Sequence, residues 1–242
     1  MAGHSKWSNI KHRKGAQDAK RGKVFTKLIK EITISSRIGG GDLSSNPRLR
    51  KAVSKAKANN LALDKIDRAI KKGTGELEGV TYEEMVYEGF GPSGVSIILE
   101  IITDNKNRSV AEIRHLLSKY GGNLGENGSV MWMFEKKGII TMDSQCGTEE
   151  DIMNLAIDCG AQDFKNEHGL YIIDTEPEEL FEICELITKV GFELISAEVE
   201  LIPNTPQLVK ESESDSILQL LDELDENDDV NKLYTNFKIS IE

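Results

Sequence analysis

Positive and negative charge are segregated along this 242-residue chain, and that segregation limits how it can fold. Residues 1–75 hold 19 Lys/Arg against 5 Asp/Glu, a net of +14, while residues 76–242 hold 11 against 36, a net of −25. The whole-chain net of −11 conceals this division. Each segment carries a self-repulsion that a surface of mixed sign would avoid, so the two read as separate domains facing different partners. At 242 residues, with 38% apolar and 29% charged, the chain is long enough for two or three small domains or one larger one.

The basic segment reads as helical. Residues 1–15 show no clean period and read as an arm. Residues 16–38 place Val24, Phe25, Leu28, Ile29 and Ile32 on one apolar stripe, which Gly39-Gly40-Gly41 stops. Asn46-Pro47 is an N-cap followed by a first-turn proline, opening a second helix with Leu49, Ala52, Val53 and Ala56 inward. A third helix spans about 62–72, with Ile66, Ala69 and Ile70 inward and Gly73 as its stop.

From residue 80 strands alternate with helices. Residues 95–103 (VSIILEIIT) are β-branched and apolar and read as a central strand. Ser109 to Glu112 reads as a capping box opening a helix through Tyr120, and 128–135 (GSVMWMFE) as the next strand. A full βαββαβ cycle follows: strand 138–143, helix 148–158, strands 161–166 and 169–174, helix 176–190, strand 193–202. A helix at 215–226 and a strand at 231–241 close the chain. The expected fold class is α+β: an N-terminal helical bundle plus two ferredoxin-like α/β domains, one inserted into the other. The expected domains are 1–75, a discontinuous 80–136 plus 204–242, and an inserted 137–203. Three domains in simple succession is the alternative, but the C-terminal piece alone is too small to bury a core.

The cations of the basic segment are patterned. Lys20, Lys23, Lys27 and Lys30 form one stripe on the first helix. The second groups Arg48, Lys51 and Lys55, and the third Lys65, Arg68 and Lys72. The arm adds Lys6, Lys11, Arg13 and Lys14, and Arg21 flanks the first stripe. Ordinary helical surfaces mix signs for i,i+4 support, whereas this one needs a polyanion. Nucleic acid, DNA and/or ribosomal RNA, is therefore the expected partner. The competing reading docks the basic domain on the acidic remainder of the same chain. Trp7 either stacks on a base or clamps the arm onto its own bundle. No base-reading element is visible, because phosphate contacts position a protein without selecting a base.

Other classes find less support. No apolar run approaches the ~20 residues that span a bilayer, and the start lacks a signal-peptide core, so a cytoplasmic protein without membrane contact is expected. Cys146, Cys159 and Cys184 form no C-x-x-C pair, and His4 and His12 lack a third ligand, so neither metal nor other cofactor is expected. The glycines of 89–94 and 121–128 lack the Lys-Ser/Thr of a phosphate loop and read as turns. No catalytic signature appears, so neither an enzyme nor a small-molecule substrate is expected. Residues 211–229 hold nine acids and no base, and Asp222 to Glu226 crowd the unfavourable C-terminal end of a helix. Either a basic partner explains that choice, the chain's own first domain or another protein, or the acids serve solubility alone.

Residues 2–7 (AGHSKW) with Ile10, Lys11 and Lys14, 87–92 (YEGFGP), 103–108 (TDNKNR), 121–125 (GGNLG), 134–138 (FEKKG), 197–203 and 220–237 resemble the YebC/PmpR family over essentially the whole chain. The resemblance implies a helical N-terminal domain and two ferredoxin-like domains, one interrupting the other. It also implies a non-enzymatic DNA-binding transcriptional regulator of bacterial type. The family is similar, too, to the mitochondrial translational activator of cytochrome oxidase, and bacterial members are tied to relieving stalled ribosomes. The matching basic surface comprises Lys6, Lys11, Lys14, Arg21 and Lys23. Residues 59–63 (NNLAL) depart from relatives that often carry a proline there, and 205–214 are idiosyncratic.

Overall fold

The computed structural model describes residues 17–240, with side chains from Gly22 onward. Three helices come first: α1 (Gln17–Gly39), α2 (Pro47–Ala58) and α3 (Leu63–Thr74). Leu28 and Ile32 of α1 meet Leu49, Ala52, Val53 and Ala56 of α2, Ile66 and Ala69 of α3, and Leu61 of the connecting turn. Phe25 and Ile29 pack alongside, while Val24 stays exposed. Asn46 accepts a bond from the Leu49 N–H at 3.0 Å and donates to the Ser35 and Gly40 carbonyls, each at 2.8 Å. One buried side chain thus ties the end of α1 to the start of α2.

Gly73, expected to stop α3, lies inside it; Gly75, at φ 83°, ends the helix. Gly73 serves the crossing of α3 on α1, where a Cβ would fall 2.4 Å from the Thr33 carbonyl oxygen. Gly73→Ala is expected to cost about 2 kcal/mol by forcing that contact apart. Gly22→Ala, whose Cβ meets nothing within 4 Å, should instead gain roughly 0.5–1 kcal/mol of helix propensity. Urea titrations of the two variants should shift in opposite directions.

Downstream come β1 (Glu83–Phe90), β2 (Ser96–Thr103), α4 (Lys106–Lys119), β3 (Asn123–Leu124), β4 (Phe134–Asp143), α5 (Glu149–Asp158), β5 (Asp163–Glu167) and β6 (Leu170–Thr175). They are followed by α6 (Leu180–Val190), β7 (Ser196–Pro203), β8 (Gln207–Val209), α7 (Glu211–Asp225), β9 (Val230–Thr235) and β10 (Phe237–Ile239). The chain divides into two compact units, one built from residues up to 131 and those from 206, the other from 132–205.

The 132–205 unit is a ferredoxin-like domain. Its antiparallel sheet runs β5-β6-β4-β7, and α5 and α6 cover one face. Ile140, Met142, Ile152, Tyr171, Ile173, Ile183 and Ile187 fill the layer between.

The other unit repeats this layout with altered connectivity. Its antiparallel sheet runs β3-β1-β2-β9, with Ile97, Leu99, Ile101, Ile113, Leu117, Ile217, Leu221 and Leu224 packed between sheet, α4 and α7. The strand between β2 and β3 is β1, which precedes both in the chain. The expected strand over 128–135 is therefore not required and does not form. Residues 131–133 make a single 3₁₀ turn, and β4 starts at Phe134. Helix α4 begins earlier than expected, capped by Asn105 through the Arg108 N–H at 3.1 Å. Ser109 lies inside its first turn, fully buried. The closing strand breaks at Asn236, after which β10 pairs in parallel with β8.

Candidate nucleic-acid interface

The described cations of the basic segment fall into two groups. The first belongs to α1, which touches β2 and β9. Lys23 donates to the Glu226 carbonyl at 3.0 Å, Lys27 to the Asp225 carbonyl at 2.5 Å, and Lys30 to the Asp228 carbonyl at 2.8 Å. Lys30 also donates to the Asp229 carboxylate at 2.6 Å, both groups being buried. The stripe predicted to face a polyanion is thus laid along the C-terminal end of α7 and the residues after it. Arg48 is engaged as well, in a fork onto Glu31 and Glu84 whose bonds raise its pKa above the ordinary arginine value.

Asp229 is the hub of this contact. Besides Lys30 it accepts from Arg108 at 3.0 Å, Ser109 at 2.6 Å and Thr103 at 3.1 Å. Burial pushes its carboxyl upward, yet the bonds from Lys30, Ser109 and Arg108 outweigh that and hold the pKa at about 2. Arg108 and Ser109 were not singled out as functional residues from sequence, and Asp229 only as one of the nine acids of 211–229. The signal available was the crowd of acids at the wrong end of α7, which carries no basic residue in its last turn.

The second group lies on the α2–α3 hairpin. Lys51, Lys55 and Lys57 on α2, and Lys65, Arg68 and Lys72 on α3, are all exposed. The hairpin turns through Asn60 at φ 59°, an asparagine in the left-handed region that glycine more often occupies. Arg50 donates to the Leu43 and Ser44 carbonyls at 2.9 and 3.3 Å. Of the residues predicted for the interface, the structure gathers Lys23 and Lys27 at α7, Arg48 at Glu31 and Glu84, and Lys51 and Lys55 on the hairpin. Lys6, Trp7, Lys11, Arg13 and Lys14, and the side chains of Lys20 and Arg21, lie outside the described residues.

The glycine-rich stretch 121–128 ends in a filled anion nest. Glu88, buried on β1, accepts the N–H groups of Gly128, Val130 and Met131 at 2.6, 2.7 and 2.8 Å. Burial pushes its carboxyl up, but the three amides prevail and hold it below the usual range. The donors that a phosphate would need there are taken. Among the described residues, no group of three or more His, Cys, Asp or Glu is arranged to hold a metal, and no helix is long and apolar enough to cross a membrane.

Residues 5–76 match the family model of the TACO1/YebC protein N-terminal domain, and residues 82–237 that of the TACO1/YebC second and third domain. The chain belongs to the TACO1/YebC family. A "probable transcriptional regulatory protein" of Magnetococcus marinus is 52% identical, with 100% of this chain and 97% of that protein aligned. One of the same description from Geobacter sulfurreducens is also 52% identical, covering 100% and 98%. A crystal structure of a conserved hypothetical protein from Aquifex aeolicus superposes with a TM-score of 0.86 at 42% identity, over 95% of both chains. In the TACO1/YebC fold, the sequence motifs behind the resemblance do structural work. Residues 103–108 build the Asp229 hub. Glu88 of 87–92 fills the nest, and Gly122 of 121–125 abuts the Phe90 carbonyl, where a Cβ would lie 2.2 Å away.

Proposed function

We propose that this chain is a non-enzymatic regulator of gene expression, acting in the bacterial cytoplasm as a DNA-binding transcriptional regulator of the YebC/PmpR type. Its residues 1–75 are the proposed nucleic-acid domain, followed by a discontinuous domain with 137–203 inserted. The observation that carries the reading is the exposure of Lys65, Arg68 and Lys72 at helical spacing on α3 and of Lys51, Lys55 and Lys57 on α2, six cations on two adjacent helices. Of the two acids on α3, Asp67 is taken by Lys71 at 2.7 Å and Asp64 lies exposed in the first turn. Exposed cations in such number suit a polyanion better than a neutral partner. The arm cations Lys6, Lys11, Arg13 and Lys14 extend the proposed surface on charge alone, and the names of the relatives favour DNA.

A second reading, a ribosomal-RNA-binding translation factor that relieves stalled elongation, is favoured by one observation. Arg48 and Arg50, the α2 side chains able to read a base in bidentate fashion, are bonded within the protein. The exposed lysines are point charges suited to phosphate.

The test is fluorescence anisotropy on a duplex DNA and a single-stranded RNA over a salt series. Changing Lys57, Lys65 and Arg68 together to glutamine should flatten the log–log salt slope by about 2.7 on duplex DNA. An unaltered slope would remove the hairpin from the interface. Crosslinking in cells then decides between promoter DNA and ribosomal RNA.

A further inference from the structure

We propose that the acidic end of α7 is a built-in competitor of nucleic acid for the cations of α1, so that docking of the two masks part of the interface until phosphate displaces it. This rests on the nucleic-acid reading above and adds regulation to it.

Both sides of the contact are electrostatically incomplete alone. The last turn of α7 exposes main-chain carbonyls at the negative end of the helix dipole, and Asp222, Asp225 and Glu226 add like charge there, while Glu223 is paired with Lys119 at 2.6 Å. On the opposite side, α1 presents Lys23, Lys27 and Lys30 in one row. Each supplies what the other lacks: lysine ammonium groups cap the carbonyls of Asp225, Glu226 and Asp228 while the carboxylates of Asp225, Glu226 and Asp229 balance the charge. A row of phosphate oxygens offers the same ligands at similar reach.

The contact is also graded. The Lys30 and Asp229 side chains are 9% and 5% exposed, those of Lys27 and Asp225 are 19% and 22%, and those of Lys23 and Glu226 are 43% and 56%. The pair at Lys30 is therefore the pivot. The pair at Lys23, toward the start of the helix and its neighbours Lys20 and Arg21, exchanges first. Ile34 of α1 and Ile98, Ile102 and Tyr234 of the sheet that α1 touches are buried outside both core clusters, so exchange is confined to the open Lys23 end and leaves α1 seated. Ion pairs as open as Lys23–Glu226 hold weakly and yield to a denser polyanion.

The test uses the full chain with two probes, a fluorescein-labelled 20-base oligouridylate and a 20-base-pair DNA duplex. Asp225→Asn with Glu226→Gln keeps the pivot and removes the competing charge. It should bind at least one probe about fivefold more tightly. Glu178→Gln with Glu182→Gln, exposed residues of the 132–205 unit, makes the same change in net charge and should gain less than about twofold. Hydrogen exchange in 222–229 should quicken when the wild-type chain is saturated with probe. Equal gains in the two variants, or unchanged exchange in 222–229, would overturn the proposal while leaving nucleic-acid binding intact. Failure of every chain to bind either probe would overturn both. Tighter binding by the α7 variant, with no loss on altering Lys57, Lys65 and Arg68, would retain the competitor and remove the hairpin.

Discussion

Asp229→Ala is expected to lower the stability of the chain by about 3–5 kcal/mol, the usual result of deleting one partner from a buried ion pair. For a protein of this size that corresponds to a melting temperature lower by roughly 10 °C. The loss comes less from the missing attraction than from what is left behind. Lys30, only 7% exposed, would keep a buried ammonium without a countercharge, and Thr103 and Ser109 would lose a charged acceptor, Ser109 retaining the Asn105 carbonyl at 3.1 Å. Adding Lys30→Met should recover part of the loss, because the two positions are coupled. The same carboxylate sets an acid limit. Its folded pKa of about 2 lies below the ordinary 3.8, so the stabilisation is fully present above about pH 4 and is lost as pH falls toward 2. Asp229→Asn should flatten the acid limb over that window. Scanning calorimetry with a pH series checks both, and an alanine variant melting within about 2 °C of the parent would show that the hub holds little.

Ile140→Ala is expected to cost about 4 kcal/mol, and only in the 132–205 unit. Ile140 is fully buried at the middle of β4, in register with Ile173 of β6 and Ala197 of β7. Truncation leaves a cavity among Met142, Ile152, Tyr171 and Ile183, in a core separate from the other two clusters. Hydrogen exchange should therefore accelerate across 134–203 while 95–102 and 217–234 keep their protection. Equal loss in both regions would mean that the two cores melt as one.

The bundle was legible in the sequence because its signals are local. A 3.6-residue apolar period, the Asn46 cap and the glycine stops all act within a turn or two of the residues that carry them. Gly73 misled because glycine serves close helix crossing as well as termination, and the crossing partner, Thr33, is 40 residues away in the chain. β1 escaped notice because it carries Glu83, Glu84 and Glu88, an unlikely composition for an inner strand. Two of those charges find partners far off in the chain: Arg48 for Glu84, and the amides of 128–131 for Glu88. Residues 130–134 misled in the opposite sense, since a short apolar run does not by itself distinguish a strand from a packed turn. The interface reading was limited in the same way. Composition revealed that the Lys23–Lys27–Lys30 stripe needs anions, and the acids of 222–229 that they need cations. Docking of the two on each other was the competing reading that the sequence left open, and only tertiary structure pairs Lys23, Lys27 and Lys30 with these acids.

Lys30 and Asp229 are separated by 199 residues. At a synthesis rate of roughly 5–20 residues per second, the ribosome takes about 10–40 s to deliver the second after the first. The three helices draw their core from within residues 28–69 and can close long before that interval ends. A newborn chain therefore carries its lysine row uncovered while still attached to the machinery that makes it, and shielding of that row is among the last events of its maturation.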